Sequence, residues 1–194
     1  KVYLAIVAAL TFWAFVMSGS DGGQAAGFRD SLFTTVSTVT TTGFVVTEYG
    51  LWSQTVQLVL LLAMPVGARA GSSAGGVPVV RVIAVASFAH REALRQLHPR
   101  LIRPVRIGGG ILPDDVARRV LGVLVLALAI LGGGAFLIST TGPDMITSFS
   151  SSATAFGNVG PGLGDIDHAN DFLSIPPVGR WVAMVQMLLG RLEV

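Results

Sequence analysis

The sequence predicts an all-α membrane protein in which a unit of span, re-entrant segment and span occurs twice, one of the spans being broken in its middle. Three observations lead there. The 194 residues are 52% hydrophobic and only 12% charged, against about 25% charged in a usual soluble domain. Two hydroxyl-rich segments, Asp30 to Phe44 and Asp144 to Asn158, each lie between apolar stretches. The stretch Pro65 to Pro78 sets glycines between two prolines inside an otherwise hydrophobic run, and such a run cannot stay continuously helical.

Val2 to Met17 is apolar, with Phe12 and Trp13, and reads as a span slightly short of the ~20 residues a crossing needs. Lys1 sits inside this run and Glu193-Val194 directly follows another, so the chain reads as part of a longer protein. Ser18 to Gly27 is a turn region. Asp30 is the expected cap of a short pore helix, Ser31 to Val39. Its β-branched residues oppose helix formation, so packing must hold it. Gly43 then releases the chain from helical geometry, Thr41 to Phe44 return extended, and Val45 to Gly50 complete the return.

Polar groups left unsatisfied in hydrocarbon are expensive. A hydroxyl-rich segment between two spans therefore reads either as the lining of a watery path or as an external loop rich in threonine. A second copy bears on that choice. Asp144 follows Asp30 at an offset of 114 residues (144 − 30), and the same offset pairs Ser37 with Ser151, Thr40 with Thr154, Gly43 with Gly157 and Val45 with Val159. Internal repetition fixes architecture.

Trp52 to Met64 and Val77 to Phe88 are two apolar halves around the glycine-rich stretch. Neither is long enough to cross alone. A broken span is tolerated where its loop is buried or lines a cavity, and in transporters it marks functional sites; the alternative is a plain loop between short helices. Val116 to Ile138 is the clearest span, and Val178 to Leu189 begins the last.

Arg91, Arg95, Arg100, Arg103 and Arg106 face only Glu92 in the connector, which the positive-inside rule places in the cytoplasm. Asp21, Asp30 and Glu48 flank the first hydroxyl segment, and Asp165, Asp167 and Asp171 follow the second. That puts both segments on the outer side, where carboxylates raise the local cation concentration or simply keep loops soluble. There is no cysteine, hence no disulfide or thiolate metal site. The arginines cluster in one connector without interleaved aromatics, which speaks against nucleic acid and for anionic lipid head groups. Gly71-Ser72-Ser73-Ala74-Gly75 satisfies a serine-nucleophile pattern, but that pattern needs a strand-to-helix turn with a His and an acid in reach. Here it falls in a broken hydrophobic span, with His90 and His98 in the basic connector and His168 on the opposite side, so no enzyme is expected.

Five stretches in order resemble the Trk/Ktr/HKT potassium transporter family. They are Ser37 to Phe44, Gly71 to Gly76, Leu97-His98-Pro99, Ser152 to Gly160, and Leu189 to Glu193, and the resemblance covers essentially the whole chain. It implies four membrane–pore–membrane repeats with re-entrant pore helices around one ion path. Of these the chain resembles the third (1–97) and a truncated fourth (116–194), joined by a cytoplasmic basic connector (98–115). It implies one filter quadrant at Thr41, Thr42, Gly43 and Phe44 and another at Ala155, Phe156, Gly157 and Asn158. Potassium would be held by the backbone oxygens of Thr42, Gly43, Phe156 and Gly157 in place of water. It implies a gate made by Gly67, Gly71, Ser72, Ser73, Gly75 and Gly76, with Arg191 reaching into the path beneath the filter, a costly placement for a charge at membrane depth. The implied cargo is K+, with no covalently bound cofactor. The implied partners are the lipid bilayer, the first two repeats of the same subunit, a second copy in a homodimer and a cytoplasmic nucleotide-binding regulatory subunit. The implied location is the bacterial inner membrane, crossed several times. Two departures touch gating: the family commonly has lysine where Pro78 stands and a small neutral residue where Arg69 stands. A non-conducting or decayed membrane subunit is the alternative, and the coupling ion stays open.

Overall fold

The computed structural model describes residues 2–18, 27–67, 74–98, 106–107, 110–166 and 172–192. The chain is mostly helical there: α1 Val2–Met17, α2 Phe28–Val39, α3 Gln54–Ala63, α4 Val79–Leu97, α5 Asp114–Ser139, α6 Met145–Gly157 and α7 Pro177–Arg191. Two-residue strands β1 (Val66–Gly67) and β2 (Val77–Pro78) pair in parallel, and β3 (Arg106–Ile107) and β4 (Gly110–Ile111) pair antiparallel. At 1.5 Å per residue α5 is about 39 Å long, more than the ~30 Å of a bilayer core. Among the described residues it is the one helix long and apolar enough to cross a membrane; α1 and α3 are apolar but shorter.

The two halves are built alike. α1, α2 and α3 pack together, and so do α5, α6 and α7. In each half a short hydroxyl-rich helix, α2 or α6, lies against more apolar ones. They differ in burial. α6 is enclosed along nearly its whole length from Thr147 to Gly157, whereas α2 leaves Phe28, Leu32 and Val36 exposed along one edge. The halves are joined by a shared apolar core in which Tyr49, Trp52, Val56, Leu60 and Met64 of the first meet Ala153, Val159 and Leu163 of the second. The Tyr49 hydroxyl also donates to the Gly162 carbonyl at 2.8 Å.

The structure corrects two expectations here. Asp30 does not cap α2: the helix begins two residues before it, at Phe28, and its N-cap is Gly27 in extended conformation, leaving Asp30 in the first turn. There its charge favours the positive helix end without bonding to a free N–H. The second short helix is capped by a carboxylate, since Asp144 Oδ1 accepts from the Thr147 amide at 3.0 Å. The helix after the break is also longer than the hydropathy suggested. α4 continues to Leu97, well past Phe88, and carries Arg91 into a seat against α5 instead of into a solvated connector. Arg91 is only 7% exposed. It donates to Asp114 at 2.7 Å and to Glu92 at 3.0 Å, and its guanidinium lies 5.0 Å from the Phe88 ring centre. A buried charge is tolerated when paired in this way, and the pairing ties α4 to the start of α5.

Candidate functional site

α2 and α6 each end in a turn, and the two turns are built from the same bonds. After α2, the Thr41 amide donates to the Thr38 carbonyl at 3.1 Å and Thr42 to Ser37 at 2.9 Å. After α6, Asn158 donates to Ala155 at 3.2 Å and Val159 to Thr154 at 3.1 Å. A hydroxyl then closes each turn: Ser37 donates to the Phe44 carbonyl at 2.7 Å, and Thr154 to the Pro161 carbonyl at 3.1 Å. Among the described residues, Thr41 and Asn158 are the two non-glycine residues with positive φ, at 55° and 54°, and two residues on Gly43 and Gly160 are positive as well, at 76° and 110°. A β-branched residue such as Thr41 in this region is strained, and strain of this kind gathers at ligand-binding sites.

Every one of these pairs is 117 residues apart, as are the two N-caps Gly27 and Asp144 (144 − 27). The 114-residue offset of the sequence comparison is therefore a three-residue slip. Small hydroxyl residues match one another at several registers, and what defines the repeat is the sequence of φ angles. The correction moves residues. Thr41, Thr42, Gly43 and Phe44, expected as an extended return, form the first turn instead, with positive φ at Thr41 and Gly43. Ala155, Phe156 and Gly157 belong to the last turn of α6, however, and of the second predicted set Asn158 alone lies in the turn. The counterpart of Gly43 is Gly160, which sequence matching passed over although it stood in the stretch Ser152 to Gly160.

The turns adjoin. A Cβ added to Gly43 would overlap the Val159 carbonyl oxygen, so the first turn lies directly on the second. Among the described residues, the carbonyls of Thr41, Thr42, Gly43, Asn158, Val159 and Gly160 accept no hydrogen bond. Unpaired carbonyls are rare where backbone is buried; here Val159 is buried, Thr41, Gly43 and Asn158 are half-buried, and Thr42 and Gly160 are exposed. The six lie in two neighbouring turns, each at the carboxyl end of a helix whose dipole is negative there.

Beside the turns lie the ends of the glycine-rich stretch. The Gly76 amide donates to the Gly190 carbonyl of α7 at 3.2 Å, and Val77 to Pro65 at 2.9 Å. Gly75 lies against the Gly157 carbonyl and the Asn158 side chain, and Gly67 against the Gly75 carbonyl. The Asn158 amide group donates to the Met187 carbonyl at 3.0 Å. Gly67, Gly75 and Gly76 are thus brought to the second turn, while Gly71, Ser72, Ser73 and Arg69 lie outside the described residues. Arg191 ends α7 and is exposed on this chain.

The profile of the TrkH family, described as cation transport protein, matches residues 7–194. The chain belongs to that family. Its resemblance to TrkH proteins is broad: 34% identity over 197 residues with the Trk system potassium uptake protein TrkH of Halomonas elongata, covering 98% of this chain and 38% of that one. The TrkH of Vibrio parahaemolyticus is 36% identical over 172 residues, covering 86% and 34%. The crystal structure of the potassium transporter TrkH from Vibrio parahaemolyticus superposes with a TM-score of 0.85 at 32% identity, over 98% of this chain and 41% of that one. The chain thus spans about two fifths of the length of the relatives it matches. TrkH proteins are transporters, not enzymes, and the serine-nucleophile pattern at Gly71 to Gly75 has no place in their chemistry.

In this TrkH-family chain the start of α6 carries a carboxylate cap. The Thr147 hydroxyl, followed by its backbone amide, holds the Asp144 carboxyl below the usual carboxylate range, while the Thr147 hydroxyl oxygen accepts from the Asp165 amide at 3.1 Å. A carboxyl whose pKa is depressed in the folded state stabilises fully above its unfolded value, near 3.9. That contribution is lost as pH falls through the folded value. Asp144→Ala should cost about 1 kcal/mol at neutral pH, read as a lower melting temperature in detergent. The difference from wild type should vanish toward pH ~2. Asp144→Asn should keep most of the cap and lose its pH dependence.

Proposed function

We propose that the chain supplies the third and fourth membrane–pore–membrane repeats, 1–97 and 116–194 with the cytoplasmic connector 98–115 between them, of a four-repeat potassium uptake protein of the bacterial inner membrane. α2 and α6 are its re-entrant pore helices. The carbonyls of Thr41, Thr42 and Gly43 form one quadrant of the filter and those of Asn158, Val159 and Gly160 the next. They replace the water around a potassium ion. The single observation that carries this reading is the pair of adjoining, matched turns with six unpaired carbonyls. The names of the relatives, potassium uptake proteins, supply the ion.

The glycine-rich stretch is the gate, its end at Gly75 and Gly76 lying against the end of α6 and Gly190, and Arg191 faces the path once the first two repeats are present. The apolar edge of α2 is then covered as α6 already is. A homodimer on a nucleotide-binding regulatory subunit is the assembly that this reading entails.

The test is rubidium uptake by the full-length protein in cells lacking their own potassium uptake systems. Uptake that potassium competes for and sodium does not is the expected result. Flux no greater than in cells with an empty vector leaves the alternative, a non-conducting subunit.

A further inference from the structure

One buried amide ties α5, α6 and α7 together behind the second turn. Gln186 of α7 is 3% exposed and stands in an otherwise apolar stretch. Its Nε2 donates to the Ile130 carbonyl of α5 at 2.9 Å and to the Ser152 hydroxyl oxygen of α6 at 2.7 Å. The Ser152 hydroxyl in turn donates to the Leu131 carbonyl at 2.6 Å. Room for the amide comes from Gly134, where a Cβ would overlap Gln186. The Gln186 Oε1 has no partner, so the side chain keeps half of its bonding capacity unused in an apolar place. Such a group is a poor choice for stability, because a buried acceptor without a donor is costly. What it provides is direction: with one N–H held by the Ile130 carbonyl of α5, the other, on Ser152, sets the rotation of α6 about its axis.

That rotation reaches the turn. Ser152 precedes by two residues Thr154, whose hydroxyl oxygen accepts from the Gly160 amide at 2.9 Å and whose proton goes to the Pro161 carbonyl. The next residue of α7, Met187, accepts from Asn158. α7 therefore grips α6 at mid-helix and at its end. Among the described residues the first half shows no such mid-helix grip. Thr35, the counterpart of Ser152 at the 117-residue offset, is fully buried and its hydroxyl has no partner.

We propose that Gln186 is a positioning residue for ion selectivity: acting through Ser152, it fixes the carbonyls of Asn158 to Gly160, making the second turn the rigid one of the two. This rests on the filter reading above. The experiment measures rubidium and sodium uptake by the full-length protein carrying Gln186→Met, which keeps the volume and removes both N–H bonds, or Ser152→Ala, which removes one oxygen, or both. Each single variant should lower the rubidium-to-sodium ratio about tenfold, a change of ~1.4 kcal/mol. The double variant should be no worse than either single one, because both remove the same contact. A merely structural role would lower both fluxes together through reduced protein in the membrane, leaving the ratio at its wild-type value. An unchanged ratio in Ser152→Ala, the milder change, overturns the proposal even if Gln186→Met fails to reach the membrane. A wild-type protein that does not discriminate between the two ions would overturn the filter reading instead.

Discussion

The Gly43→Ala substitution should reduce rubidium uptake by the full-length protein at least about tenfold without removing the protein from the membrane. Two costs act together. An L-residue at the φ of +76° found there is strained by roughly 1–2 kcal/mol. The new methyl would also strike the Val159 carbonyl oxygen, which belongs to the neighbouring turn and cannot withdraw without turning that carbonyl. About 1.4 kcal/mol is a factor of ten in an equilibrium constant, and the strain alone approaches it. Uptake within twofold of wild type would mean that Gly43 is not part of the ion path. Competition with potassium and sodium, measured on the residual flux, shows whether discrimination fails along with rate.

The Gly190→Ala substitution should destabilise the protein more than any surface change. Its Cβ would overlap the Phe156 carbonyl, with the Phe156 backbone packed close behind. Backbone cannot move aside as a side-chain tip can, so α7 must separate from α6. Overpacking of this kind costs about 1–3 kcal/mol or more. Here the same displacement weakens the Gly76 to Gly190 bond and the Asn158 to Met187 bond. The melting temperature in detergent should fall by several degrees, and the glycine-rich stretch should become more open to protease. A melting curve superimposable on wild type would show that the two helices do not approach this closely.

Much of the fold was legible because it follows from composition and period. The apolar runs gave the long helices, the prolines and glycines gave the break between α3 and α4, and the hydroxyl-rich segments marked α2 and α6. The first filter stretch was placed at Thr41 to Phe44 but read as extended, whereas Thr41 and Gly43 have positive φ and the chain turns there. The second was misplaced by three residues. Matching identities set Gly43 against Gly157, but Gly157 is a glycine for another reason: it lets α6 lie against the Met64 carbonyl. A glycine needed for close packing and one needed for positive φ look the same in a sequence. Two features had no signal of their own. Arg91 was one arginine among many in a basic connector, and Gln186 was a lone amide in an apolar helix.

The sequence by itself determined that this is a helical membrane protein of the Trk type, with two hydroxyl-rich segments each set between apolar ones. These properties depend on transfer energies and helix period, which are local and add up along the chain. The tertiary structure decided which carbonyls are left free, which glycine answers to which, and that the second half is braced across three helices while the first, among the described residues, is not. Those depend on the approach of backbones far apart in the chain, where a shift of one ångström exchanges contact for collision and no local residue preference records it.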